Sequence, residues 1–505
     1  MIPKILIVGA GPVGLTVALE LKKYGIPFEI VDKRTEKASQ SKALSVSAAS
    51  LKVFHGLGLW SKFANKGQRV KDVYIYLNGR RCAHINKRYL GPPFDFYLSL
   101  AQPETERVLE DHLESQGARV LYGHEFCNLV QVEEGVDVIV RDISTGRIVT
   151  KQYAAVVGCD GAHSVVAKSL KIESFEHDYG HHFVMGDVRL SNSPKDDTTC
   201  YYVLDDGFMI YLPMAAGLAR VVVSRPGPLP VGAPPPSQFE LQAALDKFLL
   251  EKTLISEVLW ASSSRFLAKV ARQSAVGRVY LAGDALHLFS PIGGQGMNTG
   301  LQDAVNLGWK LAFTHRGLAK APLLTSYSEE RLPAVQRTFE RIHRNTLQIL
   351  RVRQLPKATN PYVPSIRLRK LYRHHLPYEF AGFLADYSED GESMVGKHVP
   401  YCESRRSDVL VSNTYDVPQC ARNVVFSRKV NILALDSSLT RYHHVAVQAY
   451  LDESEEGWLK ALSLFEYDVC LVRPDGYIGY IGDLSGLENY LDTYYHANGR
   501  QPTSE

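Results

Sequence analysis

The sequence predicts an α/β protein of several layers, on three observations. The opening stretch, IPKILIVGAGPVGLTVALELKKYGIPFEIVDKR (2–34), runs as apolar strand, glycine turn, helix and second strand. A later run, GRVYLAGDALHLFSPIGGQGMNTGLQDAVNLGWKLA (277–312), sets one acid after an apolar strand and three close-spaced glycines before a helix. Between them, residues 180–225 alternate apolar and polar in the two-residue rhythm of strands, in HFVMGDVRL, TTCYYVLDDGFMIYLPM and LARVVVSR. A chain of 505 residues has room for about three domains of ordinary size.

Each part of the first unit has a physical task. Ile5–Val8 is an apolar run of strand length, and Gly9, Gly11 and Gly14 fit G-x-G-x-x-G with Pro12 and Val13 inside it. Gly9 makes the tight turn, Gly11 lets a pyrophosphate approach the backbone, and Gly14 lets the helix pack on the strand. The helix, to about Tyr24, turns its N-terminus to the phosphates, and Asp32, closing the strand Phe28–Val31, can accept from a ribose diol. A dinucleotide is the expected ligand. Lys33, Arg34 and Lys42 form a basic group at its adenosine end, either a solvated face or a grip for a phosphorylated ribose.

Further along, 70–97 is strand-rich, an amphipathic helix is expected at 103–116, and strands lead to AAVVGCDGAHSVVAKSL (154–170). The Pro/Gly-rich stretch 225–237 breaks the alternation before a helix near 238–250. Long helices are expected over 300–350, the pattern is weak over 352–400, and strands and helices return in the last hundred residues. There is no internal repeat, and no second strand–G-x-G-x-x-G–helix unit. In the later run, glycines at a helix start leave free N–H groups and a partial positive charge open to something flat or anionic.

Composition narrows the function. Hydrophobic residues make up 45% and charged residues 22%, the balance of a globular protein, and the net charge of +3 gives no basic footprint for nucleic acid. There is no run of 18 apolar residues, so no membrane span is expected, and the first strand starts too early to leave room for a signal peptide. The seven cysteines (82, 127, 159, 200, 402, 420 and 470) are scattered with no C-x-x-C pair, so no metal is expected, and the expected compartment is a reducing cytoplasm.

Three separated motifs carry a family resemblance: Gly9–Gly14 with Asp32, CDGAHSVV (159–166), and GRVYLAGDALHLFSPIGGQGMN (277–298), with Gln102 and LLTSYSEERLPAVQ (323–336) in support. Over residues 1–340 the chain resembles the FAD-dependent aromatic hydroxylases, the class A flavoprotein monooxygenases of the para-hydroxybenzoate and phenol hydroxylase type. The last hundred residues, with LVRPDGYIGY, resemble the thioredoxin-like C-terminal domain of the phenol hydroxylase branch. The resemblance implies a Rossmann-like FAD-binding domain interleaved with a β-sheet substrate domain, followed by a thioredoxin-like α/β domain. The boundaries expected are 1–72, 98–178 and 271–345 for the FAD part, 73–97 and 179–270 for the substrate part, 346–394 for a helical connection, and 395–505 for the C-terminal domain.

The same resemblance implies the chemistry. NADPH or NADH reduces FAD, O2 adds at flavin C4a, and the distal oxygen of the resulting hydroperoxide attacks an electron-rich aromatic substrate, so no side-chain nucleophile is needed. Asp284 would bind the ribityl chain, Gly294 and Gly296 would let the flavin ring lie against backbone, and Met297 and Asn298 would present main-chain N–H groups to its pyrimidine edge. Asp160 either serves the cofactor or caps a helix. His163 stands where a basic residue near the nicotinamide is usual, and Ala167 stands where an arginine is usual. On the strands Tyr202, Phe208, Tyr211 and Pro213, and from the flavin side Phe289, Pro291 and Ile292, are candidates for the substrate, with Tyr211 the favoured partner for a phenol. The C-terminal domain would be structural, covering the substrate domain or making an oligomer contact such as a homodimer. Epoxidation, Baeyer–Villiger insertion and oxidative decarboxylation on the same scaffold remain alternatives, as does a flavin-binding protein without turnover.

Overall fold

Apolar runs of four residues between glycine turns build the centre of the protein. In the computed structural model the strand Ile5–Val8 is fully sequestered and lies parallel to Ala155–Gly158 on one side and Phe28–Asp32 on the other. Val279–Leu281 and Leu121–Tyr122 extend this sheet in parallel, and Ala275–Val276 adds an antiparallel edge. Strands buried on both faces read as continuous hydrophobic runs, as these do. The structure describes residues 3–37, 43–192, 197–249, 252–350, 395–402, 413–427, 435, 439, 441–442, 444–447, 451 and 456–497.

The described helices are α1 (Pro12–Lys23), α2 (Ala48–Gly56), α3 (Trp60–Phe63), α4 (Gln102–Ser115), α5 (Val165–Ser169), α6 (Gln238–Phe248), α7 (Gly296–His315), α8 (Ala321–Leu350), α9 (Glu456–Ala461) and α10 (Leu484–Tyr494). Helices α1 and α7 pack closely because glycine replaces a side chain where they meet: a Cβ at Gly308 would stand 2.5 Å from the Glu20 Cβ. Helix α6 starts on a capping box, with Ser237 and Glu240 each taking the other's backbone N–H.

The alternating region forms a sheet of eight strands, in the order His287–Leu288, Ile255–Ala271, Ser174–Leu190, Leu218–Pro226, Gly207–Pro213, Thr198–Leu204, Asp72–Leu77, Arg80–Asn86. Its two faces are distinct cores. Tyr201, Val203, Phe208, Ile210, Phe183, Met185, Val222 and Phe266 share one with Ile292 and Ile349. Cys200, Tyr202, Met209, Tyr211, Val184 and Val221 share the other with Leu241, Ala244, Leu245 and Phe248 of α6. Register decides membership: Tyr201 faces Ile210 and Cys200 faces Tyr211 across the hairpin, so neighbours in sequence point to opposite faces.

The C-terminal part carries a four-stranded sheet in the order Val445–Val447, Asn423–Ser427, Val469–Val472, Ile478–Gly482. The first pair is parallel and the others antiparallel. One face, with Val425, Val469 and Leu471, is continuous with the core that holds Ile5, Trp309 and Phe313. The other, with Val424, Phe426, Cys470 and Val472, packs on Trp458 and Leu459 of α9. The expected helical connection at 346–394 falls almost wholly outside the described residues.

Candidate active site

The strands that lead to the two glycine-rich motifs, Ile5–Val8 and Val279–Leu281, lie on either side of strand Ala155–Gly158. At α1, Gly9 has φ +101°, and a Cβ there would stand 2.4 Å from the Cys159 carbonyl oxygen. A Cβ at Gly14 would overlap the Gly9 carbonyl at 1.9 Å. Gly11 differs, since the nearest atom to its Cβ position is a Glu106 oxygen at 4.0 Å. Pro12 occupies the first turn of α1, no side chain caps that turn, and it holds no acid, while Val13 packs against Gly283 and Gly300. A helix start with open N–H groups and room beside it suits a pyrophosphate.

Asp32 is engaged by the protein itself. Its Oδ2 accepts from Ala10 N at 2.8 Å and from Arg34 Nη2 at 3.0 Å, and its Oδ1 accepts from Arg34 N at 2.8 Å and Nε at 3.1 Å. Arg34 also donates to Ala10 O and Glu106, and Gln102 Nε2 donates to Glu106 Oε1 at 2.7 Å. A ribose diol at Asp32 would therefore share acceptors with Arg34. Burial pushes the Glu106 carboxyl up, with Gln102 and Arg34 opposing. Of the expected basic group, Arg34 is thus committed to carboxylates, Lys33 is exposed, and Lys42 lies outside the described residues.

At α7, Gly293 and Gly294 have φ of +90° and +63°, a conformation other residues rarely adopt. The nearest atom to a Cβ at Gly296 is Asp284 Oδ1 at 3.9 Å, so the half-buried Asp284 borders the helix start. Burial holds its carboxyl above the usual range, with His287 opposing. The α7 start has neither a side-chain cap nor an acid in its first turn. The Asn298 side chain is a clamp: Oδ1 accepts from Ser47 N at 2.8 Å and Ser50 Oγ at 2.7 Å, and Nδ2 donates to Ser45 O and Gly294 O. Met297 is half-buried beside it.

Behind this start lies a group that the motifs did not reveal. Asp303 accepts from His287 Nε2 at 2.6 Å and Arg331 Nε at 2.6 Å, all three residues fully buried, and also from Gly283 N at 3.1 Å. Against the desolvation that burial imposes, Arg331 and His287 hold the Asp303 carboxyl below its usual range. Asp160 caps α5, its Oδ2 accepting from Val165 N and Val166 N, while its Oδ1 is buried with no partner among the described residues. His163 is exposed, and Ala167 is buried in an apolar cluster with Phe126, Leu129 and Val166.

The substrate candidates need correction. Tyr202 and Tyr211 sit on the sheet face covered by α6, away from the glycine loop, and Tyr202 stacks on Tyr76 at 4.9 Å. Alternation along the strand is the cause. Their neighbour Tyr201 points the other way, and its hydroxyl is hydrogen-bonded to the Gly293 backbone. Phe208 and Ile292 share that face, whereas Pro213 follows the parity of Tyr211. Phe289 stacks on His287 at 4.8 Å and packs on Val335 and Ile342, and Pro291 is exposed with its carbonyl taking Gly294 N.

Among the described residues no group of three or more His, Cys, Asp or Glu could hold a metal, and no helix is long and apolar enough to cross a membrane. The residues do fit FAD: two open helix starts, a glycine at each closest approach, and a buried acceptor at Asp160. Comparison with known proteins agrees. A family model described as FAD binding domain matches residues 3–342. The chain is 30% identical to a rifampicin monooxygenase of Streptomyces venezuelae over 484 residues, 95% of each chain. It is 35% identical to the uncharacterized aromatic compound monooxygenase YhjG of Bacillus subtilis over 335 residues, 65% of each. The structure of OxyS anhydrotetracycline hydroxylase from Streptomyces rimosus superposes with a TM-score of 0.77 at 25% identity, over 98% of this chain and 99% of that one.

Proposed function

This chain belongs to the FAD-binding class A flavoprotein monooxygenases, and from that premise we propose that it hydroxylates a phenol or a polycyclic phenolic ring held between the glycine loop and the Tyr201 face of the eight-stranded sheet. It is an enzyme, a FAD-dependent monooxygenase that acts on aromatic compounds with O2. FAD, when bound, supplies the electron transfer and the activation of O2. The residues of the chain supply position, polarity and dryness. The α1 start would hold the pyrophosphate, and the α7 start, with the N–H groups of Met297 and Asn298, would hold the flavin's pyrimidine edge. Asp284 would accept from the ribityl hydroxyls.

The observation that carries the proposal is Tyr201, a phenol bonded to Gly293 and packed among apolar side chains. On this reading its Oη meets a substrate hydroxyl, and Phe183, Phe208, Ile210 and Phe266 give a ring an apolar bed that excludes water. Incubating the reduced protein with 18O2 and a panel of phenols and fused-ring phenols tests this: one labelled hydroxyl per substrate is expected. Ring insertion, epoxide or decarboxylated products would overturn it.

The proposed reductant is NADPH, docking transiently because one dinucleotide unit is present and FAD fills it. Exposed Lys33 and His163 support it, and Arg34 does not, being held by Asp32 and Glu106. Faster flavin reduction by NADPH than by NADH, and dependence of both on substrate, are expected in stopped-flow. The C-terminal unit is proposed to be thioredoxin-like without redox function. Its sheet order and its parallel first pair support that, while the core it shares with the FAD domain argues for a structural task.

A further inference from the structure

The Tyr201 face also carries a buried ion pair. Across four strands, Leu212, Arg220, Asp187 and Trp260 stand side by side in one row. In the next row of the same face stand Ile210, Val222, Met185 and Ser262, with Tyr201 opposite Ile210. Arg220 Nε donates to Asp187 Oδ1 at 2.6 Å and Nη2 to Oδ2 at 2.8 Å, a bidentate pair. Nη1 reaches the Ala43 carbonyl at 3.4 Å, in the segment that precedes the Ser45–Asn298 clamp. The guanidinium lies over the Trp260 ring, 4.7 Å from its centroid. Of the described strand residues on this face, Arg220 is the one buried cation. Its fork, its remaining nitrogen and one flat side are thus all taken by the protein.

Resting on the hydroxylase reading above, we propose that this site selects aromatic substrates without a carboxylate, because the arginine that could bind one is neutralised by Asp187. A substrate carboxylate on this face would lose its water, meet no open fork, and stand beside the Asp187 charge. A neutral phenol or fused-ring phenol brings no charge to this face and meets the apolar side chains of Phe183, Phe208 and Ile210 there. The pair has a second use: it satisfies the polar end of the sheet nearest the Ala43 segment without giving the substrate a charge to hold.

The test pairs each neutral probe with its acid: 2-naphthol with 6-hydroxy-2-naphthoate, and phenol with 4-hydroxybenzoate. Binding to the FAD-loaded protein is measured by calorimetry and by perturbation of the bound flavin spectrum. The neutral member of each pair is expected to bind at least about tenfold tighter, the equivalent of about 1.4 kcal/mol. Asp187→Asn should narrow that ratio by freeing Arg220, and Asp187→Asn combined with Arg220→Met should restore it. Equal or tighter binding of the acids by the parent protein overturns the proposal, as does an unchanged ratio in a folded Asp187→Asn variant. If Asp187→Asn does not fold, the parent ratio and the double variant decide. Binding of no aromatic probe by protein that holds FAD would instead sink the hydroxylase reading beneath it.

Discussion

The two glycine-rich helix starts look alike in sequence and are fixed by different physics. At α1 the backbone itself is the constraint, since Gly9 and Gly14 sit where any Cβ would run into carbonyl oxygens of neighbouring turns. At α7 the glycines face room, and the start is oriented from behind by polar groups. Asn298 ties it to Ser45, Ser47 and Ser50, and Asp303 ties its third turn to Arg331, His287 and the Gly283 turn. A start locked by backbone contact tolerates no side chain at Gly9 or Gly14. A start held by side chains keeps the space before it open, and its weak points lie several residues away.

The largest effect expected is at the brace of α7. Arg331→Met leaves the Asp303 charge buried with His287 alone, and breaking such a pair costs about 3–5 kcal/mol. Denaturant unfolding should show that loss, with flavin released early. A variant as stable as the parent would mean that Asn298 alone orients α7. Gly14→Ala comes next, at about 3 kcal/mol, the upper range for overpacking, because the overlap is with backbone. Thermal unfolding and flavin content check it, and an unchanged melting temperature would erase the distinction between the two starts.

A smaller effect is expected for Asp284→Ala, which removes an acceptor next to the α7 start while leaving both braces in place. FAD retention should weaken by about 1.5–3 kcal/mol with the fold unchanged. Equilibrium dialysis of FAD measures this, and retention equal to the parent would show that the α7 start holds its ligand without the acid. The smallest effect is expected from replacing Cys402, Cys420 and Cys470 with serine. Burial pushes the Cys470 thiol up, and burial with Asp416 does the same to Cys420, so neither is a ready nucleophile. Turnover of the folded triple variant should stay within a few-fold of the parent, and complete loss would assign the C-terminal unit a chemical task.

The contrast between the starts also marks what the sequence made legible. Strand, glycine turn, helix and acid in fixed spacing are local, and the parallel sheet, α1, α7 and Asp284 followed from them. The eight-stranded sheet was legible from its alternation, but which parity faces the 291–294 glycine loop was not. That depends on where α6 docks, so Tyr211 stood out in sequence while Tyr201 carries the contact. Asp303 and Arg331 were hidden for another reason, being charged residues on helices that look like a solvated face until α7 and α8 pack together. Asp32 was placed correctly at the strand end, but Arg34, two residues on, claims its oxygens.

The C-terminal sheet shares its inner face with the core behind α1 and α7, and the seam is fastened electrostatically. Arg473 pairs with Glu330 and Asp475, Lys310 pairs with Glu330, and Trp309 Nε1 donates to Asp475. Its consequence is thermodynamic coupling between parts remote in sequence. A chain stopped after α8 would bare apolar side chains of α7 and leave Lys310 and Glu330 without their outer partner, so residues 395–497 are no detachable cassette. Heating should therefore give one calorimetric transition in which flavin release and loss of the C-terminal sheet coincide, and FAD, by binding a helix on the far side of that seam, should raise the melting point of the whole.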